Sequence, residues 1–558
     1  MPTRIEGLGV SPGTAHGPVA RLAPPPRPPA GEQPGADPAA ELGRVGAALE
    51  QVAVLLSERA VQVGGEAGDV LTATALMARD PSLIASVKGL LEQGRPTAAA
   101  LDAAVESVCD VLAGLGGYMA ERVSDLRDVR NRALAVLLDL PMPGIPHPGH
   151  PFVLVGHDLS PADTATLDPA EVLAIVTVEG GPTSHTAILA KGLGVPAVVQ
   201  AVSAAGLTDG STVVVDGSTG LVTVDPSPEL VAAVAEQARV RKALAATGSG
   251  PGRTADDVPV ALLANIATVE DARRAGALDC EGVGLFRTEG LYLGRQSAPS
   301  LEEQEASYRE VLGYFTGRKV VVRTLDAGAD KPLAFVDHGD EENPALGLRG
   351  LRVSWKNPGL LQTQLEALGR AAAAVDTEVW VMAPMVATPS EATGFVEAAR
   401  AAGLSVAGAM IEVPAAALRA SRVLATVDFV SIGTNDLAQY TFAADRMQGE
   451  LAGLLDPWQP ALLDLIAAVG EAGSSRAVPV GVCGEAAGDP LLACVLVGLG
   501  VRSLSMAPGL VATVRLVLAA HSLAECRAMA EAARDADDAT SARAAVRALV
   551  KESVTALL

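Results

Sequence analysis

The chain has 558 residues, 49% of them apolar and only 3% aromatic, and a formal net charge of −23. This length calls for two to four domains with cores built from Ala, Val and Leu, and the acidic excess argues against a nucleic-acid ligand. Five cysteines without a C-x-x-C pair argue against a disulfide framework, and no signal peptide or apolar run of membrane-spanning length is visible, so the expectation is a cytoplasmic protein with no membrane insertion.

Residues 1–22 alternate apolar positions with Gly and Pro (GLGVSPGTAHGPVARL) and predict one or two short strands. The stretch PPPRPPAGEQPGADP (24–38) can form neither a helix nor a central strand and reads as a linker or surface loop. From Ala39 to about Asp139 apolar residues recur at helical spacing. Breaks at Gly64–Gly68, Asp80–Pro81 and Gly94–Pro96 predict a bundle of about four helices, which MPGIPHPGHP (142–151) ends. Residues 152–225 return to short strands (PFVLVG, AEVLAIVTV, STVVVDG) with one helix among them. They could complete one domain with the first strands, the bundle being an insertion. Residues 228–246 predict a connecting helix.

Within the second set of strands lies VEGGPTSHTAILAKGLGVP (178–196). Gly180 and Gly181 predict a turn, and Thr183 and Ser184 can cap a short helix that closes at Gly192 and Gly194. His185 then falls in the first turn, where free N–H groups and the helix dipole would stabilise an anion held on the imidazole. No Asp or Cys stands nearby at metal-ligand spacing, so nucleophilic catalysis is the functional reading of His185.

After residue 255 eight apolar runs alternate with room for helices: VPVALLANI, GVGLFRT, VVVRTLD, VWVMAPM, AGAMIEV, FVSIGTND, VPVGVCGE and SLSMAP. Eight such units predict a (β/α)8 barrel, whose active site lies where the C-terminal strand ends converge. Those ends carry Asn265, Arg287, Arg323, Glu412, Asn435, Asp436, Cys483 and Ser505. Arg287 and Arg323 supply planar, bidentate donors for phosphate or carboxylate, with Arg349, Arg446 and Lys331 as further cations. Glu412 and Asp436 are hard oxygen ligands suited to Mg²⁺. Cys483 reads either as a buried small hydrophobe or as a proton donor to a reacting carbon. The set describes a site for a small phosphorylated acid.

Taken together, GGPTSHTAILAKGLGVPAVV, GVGLFRTEGLYL, RTLDAGADKP, ENPALGLRGLR, IEVPAAA, DFVSIGTNDLAQYTFAADR and GVCGEAAGDP resemble Enzyme I of the bacterial sugar phosphotransferase system over essentially the whole chain. The resemblance implies an α/β multidomain protein. A swivelling phosphohistidine domain (1–22 and 145–227) would carry an inserted helical bundle (38–142) that docks a small histidine phosphocarrier protein. A linker helix (228–252) would lead to a phosphoenolpyruvate-binding and dimerising barrel (253–558). It further implies that His185 carries the phosphoryl group beside Thr164, that Arg287, Arg323 and Arg446 hold the substrate phosphate, and that Asn435 sits beside the substrate. Glu412 and Asp436 would bind Mg²⁺, and Cys483 would protonate the enolate to give pyruvate. A mobile domain on the helix near 228–246 would let His185 visit two partners. The Pro-rich linker and the aromatic-poor bundle depart from the family's pattern.

Three alternatives separate from this reading. A phosphoenolpyruvate synthase or pyruvate,phosphate dikinase relative would need a nucleotide-binding domain ahead of the histidine, and no G-x-x-x-x-G-K-[ST] pattern is present. A barrel lyase would leave His185 idle. A regulatory paralogue would not need the full set of catalytic residues.

Overall fold

The structure is a computed structural model that describes residues 3–557 apart from 12, 24, 64, 116, 160–162, 164–166, 169, 182–185, 188–189, 191–192, 294, 330–331, 337–338, 340 and 446–447; side chains at 61–70, 115–121, 241–247, 449–450, 452 and 556 are also outside the description. The chain divides into two compact units, Met1–Ala238 and Arg239–Leu558.

In the first unit eight strands form one sheet: β1 (Thr3–Glu6), β2 (Leu8–Ser11), β3 (Thr14–Arg21), β4 (Phe152–Gly156), β5 (Val172–Thr177), β6 (Ala197–Val199), β7 (Thr212–Asp216) and β8 (Leu221–Val224). Their order is β1-β8-β7-β3-β4-β5-β6-β2. The three N-terminal strands are therefore interleaved with strands that come more than 130 residues later, and β3 lies parallel to β4 with Val19 opposite Val153. The opening segment holds three strands where one or two were expected, because Gly7 and Gly13 divide it. Gly13 has φ of +121°, which a side chain would resist. The short strands β6 and β8 were not foreseen, being too brief to show an alternation.

Between β3 and β4 the chain forms five helices: α1 (Pro38–Val63), α2 (Gly65–Ala78), α3 (Pro81–Glu92), α4 (Thr97–Leu115) and α5 (Gly117–Leu137). This is one more than the periodicity predicts. The glycines of GLGG (114–117) are poor helix formers and separate α4 from α5. Val45, Leu49, Val52 and Leu56 of α1 are spaced by three and four residues and are fully buried against Leu101 and Val105 of α4. Asp80 starts α3: its carboxylate accepts the Ser82 N–H at 2.8 Å, with Pro81 in the first turn.

In the second unit the eight predicted runs are the eight strands of a closed parallel barrel: β9 (Ala261–Ile266), β10 (Gly282–Phe286), β11 (Lys319–Arg323), β12 (Glu378–Ala383), β13 (Val406–Ile411), β14 (Val430–Ile432), β15 (Val480–Val482) and β16 (Ser503–Met506). On β9, Leu262, Ala264 and Ile266 face the surrounding helices, while Ala261, Leu263 and Asn265 alternate with them and face inward. The barrel's own interior is packed by Leu285, Val321, Met382, Met410, Phe429 and Cys483. Reciprocal capping boxes set the start of several outer helices, among them Thr268 with Asp271 and Ser300 with Glu303. The helix α6 (Pro228–Thr247) spans the division between the units. Among the described residues no single helix is long and apolar enough to cross a membrane; one bent pair, Pro508–Ala520 and Leu523–Arg534, meets that test by composition, and its apolar side chains pack into the barrel's core.

Candidate active site

Parallel strands deliver their C-terminal residues to one mouth, and the loops beyond them supply the rest. Arg323 is the last residue of β11 and is nearly fully buried. Its guanidinium donates to Glu289 at 2.8 Å and lies 3.1 Å from Asp326. Burial alone would lower the Arg323 pKa, but Glu289, Asp326 and Glu412 together hold it above the ordinary value. Asp326 in turn receives two N–H groups of Arg349, each at 3.1 Å. The third nitrogen of Arg349 donates to Asp436 at 2.9 Å and to the Tyr440 hydroxyl at 3.3 Å. Arg349 is completely buried, so this bidentate and bridging arrangement fixes Asp326 and Asp436 relative to each other.

Glu412 follows β13 and is 1% exposed. One carboxylate oxygen accepts the backbone N–H of Met385 at 2.5 Å, and Met385 turns into the left-handed region (φ +57°). The other oxygen, Oε2, is buried without a hydrogen-bond partner, as is Nε of Arg323. Burial, then the carboxylates of Asp436 and Asp326, push the Glu412 pKa up to about 8, against the counter-pull of Arg323 and Arg349. A buried acceptor and a buried donor left open in one mouth are each placed to receive something from outside the protein.

On the other side of the mouth, Asn265 donates to the backbone carbonyl of Cys483 at 3.1 Å and accepts from the Ser505 hydroxyl at 2.6 Å. Asn435 accepts the Glu485 N–H at 3.2 Å and sits half-buried one residue before Asp436. Cys483 is 2% exposed, and its thiol lies 3.6 Å from the carbonyl of Ile432. Burial pushes the thiol up to about 11, so it remains protonated through neutral pH. Arg287, directly after β10, is exposed, and its charge opposes the rise in the Cys483 pKa.

His185, Thr164, Lys331 and Arg446 lie outside the described residues. The frame around His185 is partly described. Gly180 takes φ of +101°, and the buried Thr186 hydroxyl donates to Asp158 at 3.2 Å, beyond the end of β4. Glu289, Asp326 and Asp158 were missed by the sequence reading. The signal for the first two was an acid two or three residues past an arginine at a strand end, in RTEG and RTLD.

Glu412 and Asp436 fit a divalent cation. Glu412 keeps an unpartnered buried oxygen, and the neighbouring Asp436 carboxylate raises the cost of ionising it. Among the described residues no group of three His, Cys, Asp or Glu side chains forms a metal cluster. Two carboxylates with waters and substrate oxygens are the usual company of Mg²⁺.

Comparison with known proteins agrees along the whole chain. The family described as PEP-utilising enzyme, PEP-binding domain, matches residues 241–523; the mobile domain of PEP-utilising enzymes matches 148–220, and their N-terminal region 6–122. The chain is 52% identical to the phosphoenolpyruvate-protein phosphotransferase of Streptomyces coelicolor, over 99% of this chain and 100% of that one. It is 41% identical to the protein of the same description from Haloferax volcanii, over 88% of each. A solution structure of Enzyme I is 29% identical over 43% of this chain and 99% of that one, with a TM-score of 0.37.

Proposed function

The chain belongs to the phosphoenolpyruvate-protein phosphotransferase family, and from that premise we propose how its residues divide the work. The activity itself is phosphoenolpyruvate-dependent phosphoryl transfer in the phosphotransferase system, with a small phosphocarrier protein downstream. In our reading the phosphoryl P–O bond of phosphoenolpyruvate breaks as an N–P bond forms on His185, with Thr164 orienting the imidazole. Arg287, Arg323 and Arg446 neutralise the phosphate, with Lys331 as a further cation for the substrate. Asn265 and Asn435 hold the substrate. Arg349 acts on it indirectly, by fixing Asp436. The enolate left behind takes the Cys483 proton at its methylene carbon, pyruvate leaves, and the thiolate regains a proton from water. His185 then passes the group to a histidine of the carrier.

A divalent cation serves this chemistry, and we assign it as Mg²⁺ held by Glu412 and Asp436, where it supplies positive charge to the phosphate and enolate oxygens. The helical bundle is the proposed docking surface for the carrier; it exposes Val54, Leu76 and Val111. The barrel is the proposed homodimer surface, with Leu346, Trp355 and Leu418 exposed on it. A cytoplasmic location is part of the same proposal.

The observation that carries the reading is the pair of open buried groups in the barrel mouth, Oε2 of Glu412 and Nε of Arg323. The test is incubation with Mg²⁺ and phosphoenolpyruvate labelled in its phosphoryl group, without nucleotide. Acid-labile label on His185 with release of pyruvate is expected, and a His185→Ala chain should take none. Label that appears only with added nucleotide would replace this reading with a dikinase.

A further inference from the structure

The barrel has a second end. At the N-terminal ends of its strands, opposite the mouth just described, lies a cavity of about 180 Å³. Its wall includes Ala261, the first residue of β9, Lys319, the first of β11, and Ser503, the first of β16. The lining is mostly apolar, with the Trp380 and Phe429 rings packed 4.7 Å apart. An apolar cavity of about 150 Å³ is enough to hold one benzene ring, so this one has room for a ring and a small substituent.

One cation faces that space. The Lys319 ammonium lies 4.4 Å from the centre of the Trp380 ring, and it makes no ion pair with a described carboxylate. The acids that act on it are Glu378 and Glu281, and each already accepts at one oxygen. Glu378 accepts the Trp380 indole N–H at 2.9 Å, and Glu281 accepts the backbone N–H groups of Gly252 and Leu262. Burial holds the ammonium below its ordinary pKa, the two acids only partly opposing this. Arg502, the other cation of the wall, donates to the carbonyls of Val497 and Val501. A half-buried lysine stacked on an aromatic pair and without an ion pair to a described carboxylate matches an anionic head on an apolar body.

The roof of this cavity is the floor of the catalytic mouth. Ser431 and Ser505 line it. The Ser431 side chain lies near enough to the Cys483 thiol to oppose the rise in its pKa, and the Ser505 hydroxyl donates to Asn265. We propose that the N-terminal end of the barrel is an effector site for a small carboxylate carrying about one ring of apolar surface, and that its occupancy reaches the catalytic mouth through Ser431 and Ser505. The coupling rests on the roles proposed for Cys483 and Asn265; the binding does not.

Benzoate is the probe, titrated into the full chain without phosphoenolpyruvate while Trp380 emission is followed. A saturable change is expected that a Trp380→Phe chain lacks. Lys319→Met should weaken it at least tenfold, and Ala261→Leu, which fills the space, should remove it. Both of these variants should keep the wild-type rate of labelling without benzoate, which shows that they fold. No saturable change, or an unchanged one in Ala261→Leu, would overturn the site. Saturating benzoate should then alter the rate of pyruvate release at least threefold in the wild type and not in Ala261→Leu. An equal response in the two would place the effect at the phosphoenolpyruvate site and overturn the coupling. Because emission is read without turnover, failure of the catalytic reading and failure of this one give different results.

Discussion

Arg132 in the first unit and Arg349 in the barrel are both withdrawn completely from water, yet the networks around them differ in charge. Arg132 donates to Asp128 at 2.7 Å, to Asp163 at 3.1 Å and to the Pro143 carbonyl at 2.9 Å. Arg59 feels the same two carboxylates, so two cations meet two anions. Among the described residues of the barrel, two guanidinium groups, Arg323 and Arg349, meet four carboxylates: Glu289, Asp326, Glu412 and Asp436. The first network matches charge with charge among the described residues and ties α5 to Asp163, although Nη1 of Arg59 is buried without a hydrogen-bond partner. Among the described residues the second sets four acids around two guanidinium groups, and burial with the neighbouring Asp436 and Asp326 raises the Glu412 pKa. A balanced buried network fixes a structure, whereas an unbalanced one awaits a cation.

The largest effect should come from breaking the balanced network. Arg132→Met withdraws the shared partner of two buried aspartates, and removal of one member of such a group costs about 3–5 kcal/mol. Hydrogen exchange on the full chain should show α5 deprotected, with Mg²⁺ binding at the barrel unchanged. Unaltered protection would mean that Arg59 alone can hold the two acids. The opposite substitution, Glu412→Gln, removes a carboxyl whose ionisation the fold disfavours. The metal-free chain should melt no lower than the wild type, while pyruvate release falls by about 10²–10³-fold, the scale for losing one preorganised charge-stabilising group. A chain that melts lower and keeps its activity would make Glu412 structural and erase the contrast.

The same contrast explains what the sequence could disclose. All eight barrel strands were legible, since each is a short, mostly apolar run and most have a polar residue at the end. The residues at those ends could be assigned to one mouth by topology alone. Glu289 and Asp326 could not, because an acid in a loop looks the same whether it meets solvent or seals a buried arginine. The five-helix count escaped because GLGG breaks a pattern that remains apolar on both sides. Arg132 was invisible for a further reason: its two partners lie 4 and 31 residues away, and only packing brings Asp163 to it. The cavity behind the mouth is a volume left unfilled, which no residue pattern records.

Cys483 offers a smaller effect within the unbalanced region. Its thiol is held up to about 11 by burial, so it stays a proton donor across neutral pH. Cys483→Ala should slow pyruvate release by about 10²-fold, the lower part of the range for general acid catalysis. Labelling of His185 should fall less than the release of pyruvate. Equal losses in the two steps would assign Cys483 to packing among Met410, Phe429 and Leu285.

The smallest effect is the most direct measure of the imbalance. The Glu412 carboxyl moves from its ordinary 4.5 to about 8 in the fold. Between those values the folded, metal-free chain holds a proton that the unfolded chain has lost. Its contribution to stability is therefore fully present below about pH 4.5 and is lost as pH rises through about 8. A cation bound by Glu412 requires the carboxylate and must displace that proton. Mg²⁺ affinity should accordingly rise with pH across this window, by up to about tenfold per unit, and level off above about pH 8. Calorimetry in buffers of different ionisation enthalpy should report nearly one proton released per Mg²⁺ at neutral pH, and none in Glu412→Gln. An affinity independent of pH, with no proton released, would put the cation elsewhere and leave Glu412 a protonated, buried carboxyl.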